Sequence, residues 1–116
     1  MNALAGAAVS TSTQIVDLVQ RRLERALRSR ARYRYVQPRV LHEERGFRIQ
    51  SPCCSHNVDP HGGLIDIALL VPQPQGRWSL CARDHASSTW VPRLENGSLD
   101  AMLNALCTDS QRQFWP

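Results

Sequence analysis

The sequence predicts an α+β fold: an N-terminal helix, an antiparallel meander sheet of about five strands, and a C-terminal helix packed on one face. Three observations predict it. Apolar residues recur at helical spacing only near the two ends of the chain. Between them, short alternating or continuous apolar runs are separated by clusters of turn-forming residues. The connections are short, which favours antiparallel neighbours over crossovers. At 116 residues, 42% of them hydrophobic, the chain can build one core and not two. We expect a flexible tail over residues 1–11, where small and polar residues dominate, and a single domain over residues 12–116.

Ser12 or Thr13 can cap the first helix. Ile15, Val16, Val19, Leu23, Ala26 and Leu27 share one face of it. Arg21, Arg25 and Arg28 fall on the opposite face, and Arg32 continues their spacing. Arg30 would fall on the apolar side, so the helix should stop near Ser29. Residues 33–41 then read as a strand, with Pro38 favouring an edge position. A turn at Glu43, Glu44, Arg45 and Gly46 leads into a second strand over 47–51. There Phe47 and Ile49 should point inward, and Arg48 and Gln50 outward.

Residues 52–63 are dense in turn formers. Residues 64–71 are nearly all apolar, which predicts a central strand covered on both faces. Strands over 77–82 and 89–94 follow, the latter carrying Pro92 at an edge or bulge. Ser98 should cap a second helix with Leu99, Met102, Leu103 and Leu106 on one face. Phe114 and Trp115 should pack back onto the sheet.

Charge is the main functional signal. The net charge is +4, and all 14 basic residues are arginine. The absence of lysine suggests the codon usage of a GC-rich bacterial source. Ten of the arginines lie between Arg21 and Arg48 against only three acids, so the remainder of the chain is net negative. Such asymmetry points to an anionic partner, although a basic face also serves solubility alone. The stripe of Arg21, Arg25, Arg28 and Arg32, with Tyr33, Arg34, Tyr35 and Arg39 after it, contains no glutamate. Arginines along a helix can follow a phosphate backbone, and tyrosines can stack on bases. The expected function is therefore a small non-catalytic binding module for nucleic acid. A protein-interaction or inhibitor module docking on an acidic protein surface is the alternative. A homodimer through the first helix would join two stripes.

Three weaker candidates for chemistry remain. Cys53, Cys54, His56 and His61 are zinc-ligand types, but adjacent cysteines seldom turn two thiolates toward one ion. No bound metal is expected. Asp66 is the one charge in the apolar strand and requires a partner, for which Arg83 or His85 is suited. A structural pair is the plainer reading; a carboxylate with a shifted pKa is the functional one. His85 beside Asp84, or paired with Cys54, would be the minimum for base or nucleophilic chemistry. No nucleotide-binding, P-loop or serine-hydrolase fingerprint occurs, and no cofactor is expected. The N-terminal segment lacks the charged and apolar regions of a signal peptide, and no run is long enough to span a membrane. The four cysteines are therefore expected to be reduced thiols in a cytoplasm.

Overall fold

The computed structural model describes residues 2–29, 37–52 and 63–115, with side chains described from Gln14 onward. Its order is α1 (Asn2–Arg28), β1 (Arg39–Glu43), β2 (Gly46–Pro52), β3 (Leu64–Pro72), β4 (Trp78–Asp84), β5 (Thr89–Gly97) and α2 (Leu99–Thr108). The five strands form one antiparallel sheet in the order β1-β2-β3-β4-β5. This is the α+β meander expected from the short connections.

Helix α1 begins at Asn2, well before the start expected at Ser12 or Thr13. Alanines and a leucine dominate its first two turns, and these are the strongest helix formers. Its C-terminal half lies over β1 and touches α2. Leu23 and Leu27 are completely buried, whereas Ile15 and Leu18 on the same helix are more than half exposed. Gln20 Nε2 donates to the Val40 carbonyl at 3.3 Å. That bond satisfies a backbone acceptor on the edge strand and discourages pairing with another chain.

Helix α2 lies over β4 and β5. Its Ser98 cap accepts a hydrogen bond from the Ala101 amide at 3.1 Å. Leu99, Met102, Leu103 and Leu106 are buried and join Leu23, Leu27, Val40, Phe47, Ile49 and Leu80 in one core. Truncating one of the fully buried leucines to alanine costs about 2–5 kcal/mol.

The chain after α2 folds back, as its two aromatics suggest. Asp109 stops the helix in a left-handed conformation, with φ 44 and ψ 50. Its buried carboxylate then accepts the amides of Gln113 at 2.7 Å, Phe114 at 3.2 Å and Trp115 at 2.9 Å. Trp115 Nε1 donates to the Leu106 carbonyl at 2.9 Å. One acidic side chain thus anchors the segment that places Phe114 and Trp115 in the core.

The sheet has two unlike faces. Ala68 is paired with Ile49, but Gln50 is paired with Asp66, so a bulge skips Ile67. Ile67 and Ala68 both enter the helix-side core. The bulge turns Asp66 to the other face, beside Gln50. Leu69 and Cys81 are buried on that second face, outside the main core. Strand β3 is therefore central and covered on both sides, as its apolar run predicted. The β1–β2 turn requires Gly46, which has φ 153 and backs so closely on the Leu70 carbonyl that a Cβ has no room. Among the described residues, no helix is long and apolar enough to cross a membrane.

Candidate functional site

The arginines of α1 and the sheet differ in what surrounds them. Arg21, Arg25 and Arg28 are exposed on the side of α1 away from Leu23 and Leu27. The spacing of four and three residues stacks them along the axis over about 10 Å. None of the three makes an ion pair with a described residue. Exposed Asp17 and Glu24 lie one helical turn from Arg21 and Arg28. Arg22, one position round the helix, is instead paired with Asp100 and ties α1 to α2.

Arg39 is exposed but belongs elsewhere. Its neighbour Val40 enters the core under α1, so strand alternation turns Arg39 to the second face of the sheet. Helix arginines and Arg39 therefore do not share one surface. Arg32, Arg34 and Tyr35 of the expected stripe lie outside the described residues, as do Cys53, Cys54, His56 and His61.

On the second face Asp66 has the partner its position demands. Its Oδ1 accepts from Gln50 Nε2 at 2.9 Å and stands 3.7 Å from Arg48 Nη1. Its Oδ2 stands 3.8 Å from Arg83 Nε. Arg48 also reaches Glu43 Oε2 at 2.8 Å. Both guanidinium groups lie against Trp90, that of Arg83 at 4.9 Å from the ring centroid and that of Arg48 at 6.0 Å. The result is a layer of opposed charges around one indole, half-buried over Leu69 and Cys81. Arg48 Nε is buried in it with no hydrogen-bond acceptor among the described residues. Sequence alternation marked Arg48 and Gln50 as outward; it gave no sign that they would meet Asp66, because that contact depends on the bulge.

His85 lies at the margin of this layer, in the β4–β5 turn. Burial and then the neighbouring Arg83 hold its pKa below the ordinary imidazole value, against the opposite pull of Asp66 and Asp84. No hydrogen bond joins His85 to either acid among the described residues. The Asp84 carboxylate is occupied by the turn, accepting the amides of Ala86 at 3.1 Å and Ser87 at 3.4 Å. A hydrogen bond with the Ser87 side chain, and then the one with its amide, holds the Asp84 pKa below the usual carboxylate range. Burial pushes the Cys81 thiol up, only partly offset by Arg45. An acid committed to two arginines and a glutamine braces strands β2, β3 and β4 across this face.

No curated protein and no solved structure matches the chain. A family model does match, over residues 11–116. The chain is thus a member of the DUF3024 family, described as a domain of unknown function.

Proposed function

We propose that this chain is a non-catalytic binding module that lays the outer face of α1 along the phosphate backbone of a nucleic acid. The observation that carries the reading is the line of Arg21, Arg25 and Arg28, exposed and without ion pairs among the described residues. Arg22 on the same helix, and Arg48 and Arg83 on the sheet, are instead engaged by Asp100, Glu43 and Asp66. Guanidinium groups not engaged in ion pairs keep their capacity for bidentate phosphate contacts. Releasing counterions from the backbone would supply most of the affinity.

Fluorescence anisotropy of a labelled oligonucleotide at about 50 and 200 mM salt tests the reading. Binding should weaken steeply with salt. Each arginine changed to glutamine should lower the slope of log affinity against log salt by about one. Absence of binding at the lower salt would rule the reading out.

A second reading is an acidic protein surface as the partner. It is favoured by Leu18, 64% exposed beside the arginines. An exposed apolar side chain among arginines suits a protein interface. Purification from the native host separates the two: one partner brings the ultraviolet absorbance of nucleic acid, the other a second polypeptide.

A further inference from the structure

We infer that the nucleic acid taken by the arginine line is a single strand and not a duplex; the inference rests on the reading proposed above and names its substrate class. The line is one side chain wide. At about 100° per residue, Arg21, Arg25 and Arg28 fall within about 60° of one another, opposite the buried Leu23. On one side of them stand Asp17 and Glu24, both exposed and without an ion pair among the described residues. These acids lie one turn either way from Gln20, which reaches the edge strand β1. On the other side stand uncharged Leu18 and then Arg22, whose charge Asp100 balances. The cationic strip is thus bounded by two acids on one flank and by a neutralised pair on the other.

Single strands and duplexes make different demands on such a strip. The three arginines span about 10 Å, which matches about three phosphates along one strand. A single strand carries no other charge. Its bases are neutral, so they can lie beside Asp17 and Glu24 without repulsion. A duplex brings a second row of phosphates across a groove about 6 or 12 Å wide. That distance is comparable to the width of a helix with its side chains, about 10–12 Å. The second row therefore meets the flanks of α1, where the acids stand and the cations do not. At about 50 mM salt the screening length exceeds about 10 Å, so the repulsion is felt. A helix built for a duplex would carry unpaired cations across both flanks.

Fluorescence anisotropy of the full chain with one labelled DNA oligonucleotide of mixed sequence, alone and annealed to its complement, tests this at about 50 mM salt. The single strand should bind at least about tenfold more tightly. A merely basic surface would give the opposite order, because the duplex has the higher charge density. Asp17→Asn together with Glu24→Gln should tighten duplex binding more than single-strand binding. The circular dichroism spectrum should not change, since both side chains are exposed. Duplex binding as tight as single-strand binding, or tighter, would overturn the inference and leave the nucleic-acid reading standing. So would a preference that survives the double substitution undiminished. Binding of neither form would remove the nucleic-acid reading itself, and the inference with it.

Discussion

Two groups of arginines in this fold occupy opposite electrostatic situations. Arg48 and Arg83, on the sheet face away from the helices, stand half-buried against Trp90 and are balanced by Asp66 and Glu43. Arg21, Arg25 and Arg28 stand on α1 in water without a balancing pair among the described residues. The same side chain therefore serves two ends. Where desolvation is partial, charge must be compensated, and the guanidinium becomes part of the structure. Where solvent is free, an uncompensated charge costs little and remains available to a partner.

Substitutions on the two sides should separate these roles. The largest change should follow Asp66→Ala, which leaves two partly desolvated guanidinium groups facing each other. Urea denaturation should show a loss of about 2–3 kcal/mol, below the range for a fully buried pair because the arginines retain some solvent. Trp90→Ala removes the ring that both guanidinium groups cover, and should cost about 1–2 kcal/mol by the same measurement. The triple change of Arg21, Arg25 and Arg28 to glutamine should move stability by less than about 0.5 kcal/mol while abolishing salt-sensitive binding. Equal destabilisation by the helix triple and by Asp66→Ala would erase the distinction.

The smallest expected effect is one of pH. His85 has a lowered pKa in the fold, so the unfolded chain takes up its proton first as pH falls. The contribution of the neutral imidazole is complete above the unfolded value of about 6.5 and is lost as pH falls through the folded one. Stability measured across that window should decline slightly in the wild type and less in His85→Gln. An identical decline in both would show that His85 is not its source.

Much of this fold was legible in the chain because short-range physics decides it. Helical spacing identified the buried Leu23 and Leu27 of α1 and all four buried residues of α2, although Ile15 on the expected apolar face of α1 is exposed. Alternation sent Phe47 and Ile49 into the core and Arg48 outward. The continuous apolar run marked β3 as central, and Pro92 marked β5 as an edge or a bulge; it is an edge strand, with a register irregularity opposite Pro92. The role of Asp109 was not legible: an acid near a helix end gives no sign that three later amides will converge on it. Nor was the position of Arg39. It follows the helix arginines closely in sequence, but strand alternation sends it to the other side of the sheet.

By itself the sequence determined the order of helices and strands, though not where α1 begins, and that basic charge gathers in the first half of the chain. Periodicity and composition are local properties, and burial of one face follows from them. Only the tertiary structure decided which arginines are engaged and which stay free. That choice depends on a one-residue bulge at Ile67 and on the face each strand presents, both fixed by contacts between residues distant in the chain.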